Sequence, residues 1–253
     1  MRMQITRPLL PFLLFASVQA AAQDAPFDSD RPSETQSVQT VGKSVFQAEN
    51  GVRKEQESAG RFSVDHPATA LRWGLSKKLE LRAELTAATE HDHPQGGHRY
   101  GLRPVELGMK AALLEEKGGR PALTILGQVG IPALASKDHR SLHAQPQFRL
   151  LFENSLGKSM KLTYNAGAEW NGEDTEPDWL YTISPQWDLG SHWQLFVEEF
   201  AYFHRGQEPR HTLDGGVAFL PARELKLDLS AGVGISHAAP DYFLAAGISF
   251  RIK

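Results

Sequence analysis

From residue 44 onward the chain alternates between apolar and polar positions. In the stretch ELKLDLSAGVGIS, Leu225, Leu227, Leu229, Ala231, Val233 and Ile235 share one parity, and Glu224, Lys226, Asp228 and Ser230 share the other. A period of two places these sets on opposite faces of a strand. About twelve such stretches can be marked, centred on residues 49, 68, 84, 108, 126, 148, 165, 183, 198, 214, 230 and 247. Several are far longer than the usual five or six residues of a soluble strand. Long apolar helical faces are absent from the pattern, so it predicts an all-β fold.

The connections add an asymmetry. Links at Ser76–Lys77, EEKGGR, SLGKS, LGSH and LPAR are short, whereas EHDHPQGGHRYG, PALASKDHRSLH, NGEDTEPD, HRGQEPR and SHAAPD are mostly longer and polar. Short turns therefore fall on one end of the sheet and longer loops on the other, as in outer-membrane barrels. A soluble sandwich would show the same alternation with its polar parity outside, and the aromatics separate the two. Trp73, Phe152, Trp187, Trp193, Phe219 and Phe250 fall near the turn end of their strands, and Trp170, Trp179, Tyr181, Phe203 and Tyr242 near the loop end. Two aromatic rings bounding an apolar band fit the interfacial depths of a membrane. The expected fold is a closed antiparallel transmembrane β-barrel of about twelve strands, outer-membrane type, with both termini periplasmic and its charges facing the lumen.

Two features conflict with perfect alternation. Glu199 falls on the lipid parity while Phe200 and Tyr202 fall on the other, which predicts a bulge near Glu198–Glu199. Pro67, Pro104 and Pro185 lie in or at the start of predicted strands, where a closed sheet has no edge to accommodate a missing N–H; bulges or strand ends are expected there.

The stretches SDRPSETQS, LRWGLSKKLELRAEL, LLEEKGGRPALTILGQVGIP, AGAEWNG, LDGGVAFL and LDLSAGVGISHAAPDYFLAAGISF occur in this order between Asp28 and Phe250. In this the chain resembles the bacterial family called putative MetA-pathway of phenol degradation. The resemblance implies an outer-membrane, transporter-like barrel that passes small molecules, aromatic or hydrophobic ones among them. Barrels of this kind commonly end on an aromatic residue, whereas here Arg251, Ile252 and Lys253 follow Phe250.

Composition narrows the picture further. The net charge is −3, with Lys and Arg spread along the chain, so no basic stripe exists for nucleic acid. Cysteine is absent, which excludes disulfides and thiolate metal sites. Arg2 and Arg7 precede an apolar run from Leu9 to Val18, and Ala20 and Ala22 stand in A-x-A positions. That is the pattern of a secretory signal peptide, residues 1–22. Residues 23–43 then form an N-terminal periplasmic segment and 44–253 the barrel. The segment DAPFDSDRPSETQSVQTVG is a candidate to lie across the periplasmic mouth or inside the barrel, and its Pro and Ser content also suits a linker.

The inward parity supplies Arg72, Glu80, Arg82, Glu84, Glu106, Lys110, Arg149, Glu153, Lys161, Glu169, Asp214, Lys226, Asp228 and Arg251 as lumen-lining candidates. They could form a polar solute path, or a salt-bridged filling that holds the wall together and leaves a structural or loop-binding protein. A barrel of twelve strands lies between those that side chains fill and those with an aqueous channel, so a narrow or partly occluded pore is expected. His91, His93 and His98 with Asp92 offer metal-ligand types on one loop, but nothing fixes their geometry, and no metal site or cofactor is assigned. Asp138, His139, Ser141 and His143 supply residue types for a hydrolase, yet adjacent loop residues do not make a dyad. No catalytic residue is assigned. The expected partners are outer-membrane lipids, a small-molecule solute and the barrel assembly machinery.

Overall fold

The computed structural model describes residues 27–57, 60–92 and 97–252. The proposed signal peptide and His93 lie outside the described residues. Thirteen strands form one antiparallel sheet: β1 (Phe46–Gln56), β2 (Phe62–Gly74), β3 (Leu79–Asp92), β4 (Gly97–Leu102), β5 (Val105–Leu114), β6 (Ala122–Ile131), β7 (Gln145–Ser155), β8 (Met160–Glu169), β9 (Asp178–Leu189), β10 (Trp193–Phe203), β11 (Arg210–Ala222), β12 (Leu225–Gly234) and β13 (Tyr242–Ile252). Each strand pairs with its neighbour in sequence, except that β4 and β5 both pair with β3. β1 pairs with β13, which closes the barrel. Because β4 and β5 lie end to end along β3, they make one stave in two pieces, and the barrel has twelve staves.

The three prolines explain the irregularities. Pro104 sits between β4 and β5, where the stave is cut. Pro67 lies where the ladder from β2 to β3 shifts register, between Asp65 and Ala68, and where the β1 ladder also shifts. Pro185 pairs with Leu162 of β8, while its ladder to β10 is interrupted between Gln186 and Ile183. At each position a donor that proline lacks is not required. β3 runs on to Asp92 and β4 starts at Gly97, so the connection expected as a long polar loop is mostly strand.

The bulge expected at Glu198–Glu199 is absent. Trp193 to Tyr202 pairs with Phe219 to Arg210 in unbroken register, so Glu198 faces in and Glu199 faces out. The outward carboxylate is not displaced but satisfied in place, accepting a hydrogen bond from Tyr181 Oη at 3.1 Å and lying 2.9 Å from His211 Nδ1. Phe200 is buried inside on the parity of Glu198; the large aromatics there belong to the lumen and mark no change of phase.

Burial is inverted relative to a soluble protein. Leu229 is 59 % exposed and Leu244 56 %, whereas Arg72, Glu80 and Lys110 are at most 1 % exposed. Trp73, Trp193 and Phe250 stand exposed at the turn end, and Trp179 and Tyr242 at the loop end. Among the described residues the most deeply buried large side chains are thus mostly polar or ionic, and those of the wall lie on the inward parity.

Candidate functional site

Residues 27–45 precede β1, and all but Lys43 and Ser44, which are exposed, occupy the interior or its mouth. The contacts of this insert reach the wall on all sides, to β1, β2, β3, β5, β6, β7, β8, β9, β10, β12 and β13. It starts at the turn end, where the Phe27 ring lies 4.7 Å from the Arg251 guanidinium and the Asp28 carbonyl accepts a bond from Gln47 Nε2 at 2.8 Å. It rises to Glu34 and returns to Thr40, whose hydroxyl donates to the Lys77 carbonyl in the β2–β3 turn at 2.9 Å. A segment without helix or strand must find other partners for its backbone, and the wall supplies them. Glu198 accepts from the N–H groups of Glu34 and Thr35 at 2.8 and 2.6 Å and from the Thr35 hydroxyl. Asn165 accepts from Gln36 N at 2.7 Å and donates to Gln36 O at 3.1 Å. Glu80 takes Val41 N, and Thr124 donates to Val38 O. The Val38 side chain packs against inward Leu126 and Leu151.

Charge fixes the insert more firmly. The Asp30 carboxylate meets Arg82, lies 3.0 and 3.1 Å from Lys110 Nζ and 3.5 Å from Arg72, and accepts Ser37 N at 2.9 Å. Arg72 in turn holds Glu49 and Glu80, each at 2.8 Å. Asp28 pairs with Lys161 at 3.2 Å, Arg31 with Asp228 at 2.9 Å, and Glu34 with Arg149 at 2.9 Å and the Tyr202 hydroxyl at 2.8 Å. Lys226 Nζ donates to the Arg31 carbonyl at 2.9 Å. A buried charge keeps its ionised form only when paired and hydrogen-bonded, and this lattice meets that condition.

Burial pushes the carboxyl groups of the insert up, but the surrounding cations outweigh it. Lys161 and Lys226 bring Asp28 from 3.8 to about 2; Arg72, Lys110 and Arg82 hold Asp30 well below the usual carboxylate range; Arg149 and Arg53 lower Glu34. A carboxylate depressed in the seated state contributes fully above its ordinary pKa and ceases to as the pH falls through the depressed value. The insert is therefore expected to stay seated at neutral pH and to loosen as the pH falls from 3.8 to about 2. Conductance of the full chain recorded across that interval should rise, and a flat record would contradict the role given to these carboxylates.

The sequence-derived candidates fall into distinct groups. Arg72, Glu80, Arg82, Lys110, Lys161, Lys226 and Asp228 contact the insert or its ion-pair lattice in the turn-end half, and Arg149 meets its tip. Glu153 pairs with Lys161 at 3.3 Å, and Arg251 lies against Phe27. Glu169 lies 3.3 Å from Arg149. Glu84 and Glu106 stand above the insert, lining a cavity of about 590 Å³ at the loop end with Glu90, Arg103 and His139. Asp214 differs from all of these: its two oxygens are buried and meet no donor among the described residues, and it faces Glu198 across the β10–β11 ladder. A buried carboxyl group whose nearest partner is a second acid costs the protein its desolvation without an attraction to offset it. Asp214→Asn, which gives Glu198 an amide donor, is expected to stabilise the barrel by about 1–3 kcal/mol, read as a higher unfolding temperature on a heat-modifiable gel; a lower temperature would contradict the assignment.

Gln47, Glu49, Asn165 and Glu198 are wall partners of the insert that the parity reading passed over. All four share the inward parity with charged neighbours, Gln47 with Glu49 and Asn165 with Lys161 and Glu169, which was the available signal; Gln47 and Asn165 carry no charge of their own to draw attention to it. At the loop end, Ser141 Oγ donates to the His143 backbone carbonyl at 2.9 Å, not to an imidazole, and His139 Nδ1 faces Glu90 at 3.7 Å. His91 and His98 meet through their Nδ1 atoms at 3.1 Å. Among the described residues no three His, Cys, Asp or Glu side chains are grouped to hold a metal.

The family model called "Putative MetA-pathway of phenol degradation" matches residues 29–252, the insert and every stave. The chain belongs to this family. Family membership thus extends over the insert as well as the wall. Among solved structures, the chain resembles an outer membrane channel from Pseudomonas putida F1 at 9 % identity and a TM-score of 0.67, covering 87 % of this chain and 100 % of that one. It also resembles the KdgM porin in complex with disordered oligogalacturonate (6 %, TM-score 0.55, 81 % and 99 %) and the beta domain of the Bordetella autotransporter BrkA (12 %, TM-score 0.53, 82 % and 99 %). At these identities the likeness concerns the barrel fold. A search of curated proteins finds no match to the sequence.

Proposed function

We propose that this family member is a bacterial outer-membrane barrel that serves as a channel or transporter-like conduit for small molecules, aromatic or hydrophobic ones among them. Its turn end faces the periplasm, and residues 27–45 act as a plug seated from that side. The observation that carries this reading is the inverted burial: aliphatic side chains outside between two aromatic girdles, ionic side chains inside. That arrangement suits hydrocarbon around the wall and a polar route within. Two of the structural relatives bear the names channel and porin, which supports the same reading. Membrane lipids, the assembly machinery and a solute are its partners, and no residue is assigned to catalysis.

The test is reconstitution. Folded protein in planar bilayers should show ion conductance, and proteoliposomes should admit small solutes; absence of any flux, both for the full chain and for a chain without its plug, would overturn the proposal. The lipid-facing wall has its own check. Leu229 lies midway along β12 with its side chain outside, so Leu229→Arg is expected to destabilise the barrel in bilayers by about 2–4 kcal/mol. Refolding titrations into lipid vesicles would measure it, and an unchanged midpoint would count against lipid at this face.

A further inference from the structure

Above the plug tip, on the side of β10 to β13, lies a cavity of about 350 Å³. It falls within the range of small-molecule sites. One part of its lining is aromatic, with Phe200, Tyr202 and Phe243, and another is cationic, with Arg53, Arg103 and Arg210. The two parts are already in register. The Arg53 guanidinium carbon lies 3.7 Å from the centre of the Phe243 ring, Arg210 lies 5.3 Å from that of Tyr202, and Phe200 meets Tyr202 edge-on at 6.1 Å. Gly232 makes the arrangement feasible, since a Cβ there would fall 2.3 Å from Phe243 Cε1.

The acids that share this cavity are engaged. Glu34 accepts from Arg149 and Tyr202, Glu169 from Gln147 and Arg149, and Glu55 from Arg53. The arginines are not used up. Arg53 reaches Glu55 through Nη2 at 2.7 Å, and Arg210 reaches Asp178 through Nη2 at 2.9 Å. Arg103 keeps a buried Nε without a partner. A guanidinium has five N–H donors in a planar fork suited to a carboxylate, so the cavity offers donors beside ring faces.

We propose that this cavity binds a small planar aromatic carboxylate of about the size of benzoate, its ring against Phe200 and Tyr202 and its carboxylate on the forks of Arg53 and Arg210, with Phe243 backing the Arg53 guanidinium. A neutral hydrocarbon would leave those donors unused, and an aliphatic acid would leave the ring faces unmatched. The proposal names a solute class for the conduit reading and rests on that reading only for its purpose. The site borders Glu34, so its occupant touches the tip of the plug.

The experiment is calorimetric titration of the full-length, detergent-folded protein with benzoate, benzamide, cyclohexanecarboxylate and galacturonate, with folding verified by heat-modifiable migration. Saturable benzoate binding is expected, weaker by about tenfold or more in Arg210→Gln and in Arg53→Gln, as loss of a charge-assisted contact implies. Arg210 is partly exposed at the loop end, so Arg210→Gln tests the site even if Arg53→Gln misfolds. Absence of saturable benzoate binding, unchanged affinity in Arg210→Gln, or equal binding of any of the other three compounds would overturn the proposal. Bilayer conductance of the same preparation reads the conduit separately: conductance without benzoate binding sinks this site alone, and benzoate binding without conductance or solute flux sinks the conduit alone.

Discussion

A chain lacking residues 28–41 should conduct ions across a planar bilayer at several times the conductance of the full chain. The deleted residues carry Asp28, Asp30, Arg31 and Glu34, which hold the insert in the turn-end half of the lumen. Without them, water replaces the insert beside Arg72, Arg82, Lys110 and Arg149, and the route from the loop-end cavity to the turn end is lined by wall side chains alone. The wall itself does not depend on the insert for its backbone pairing, because β1 to β13 close on one another. The truncated chain should therefore still migrate as a folded barrel on an unheated gel. Equal conductance in folded samples of both chains would show that the insert does not limit flow.

The second large effect concerns one carboxylate. Asp30→Ala leaves Arg82, Lys110 and Arg72 facing one another, with Glu49, Glu80 and Glu84 as their remaining acids. Breaking a buried ionic group by removing one member costs about 3–5 kcal/mol, because the others keep their desolvation without the attraction that offset it. The loss should appear as a lower urea midpoint for the full chain and as a rise in conductance, since an insert without Asp30 is held less firmly. Glu84→Gln serves as the comparison: Glu84 is partly exposed and bonds only one arm of Arg82 at 2.9 Å, so a small shift is expected. Equal shifts for the two variants would remove the central place given to Asp30.

Most of the wall was legible in the sequence. Period-two alternation marks a strand wherever one face is apolar and the other is not, and β12 or β8 could be read almost residue by residue. The position of the aromatics near strand ends then indicated which face points outward. Harder cases have physical reasons. β4, with the sequence GHRYGL, has no apolar parity, since Gly97, His98, Arg99 and Tyr100 are all exposed, and only its pairing with β3 defines it. Glu199 suggested a bulge because an outward carboxylate is costly, but Tyr181 and His211 from the two adjacent strands satisfy it, and cross-strand partners cannot be read from one strand alone. The seat of the insert was the least legible part. Its partners are remote in sequence, with Asp30 meeting Lys110 and Arg31 meeting Asp228, and its own residues have no period to announce a surface. Proline and serine gave it the look of a linker, and only the closed ring of strands shows which side chains surround it.

The course of residues 27–45 has a mechanical consequence. Phe27 and Thr40 both lie at the turn end while Glu34 lies deep inside, so this stretch goes in and comes back by the same opening. It is a finger in a sleeve, not a thread through a bead. Withdrawing it requires no unzipping of a stave: the step exchanges ion pairs, backbone hydrogen bonds and the Val38 contact for water and leaves the ladder of the wall intact.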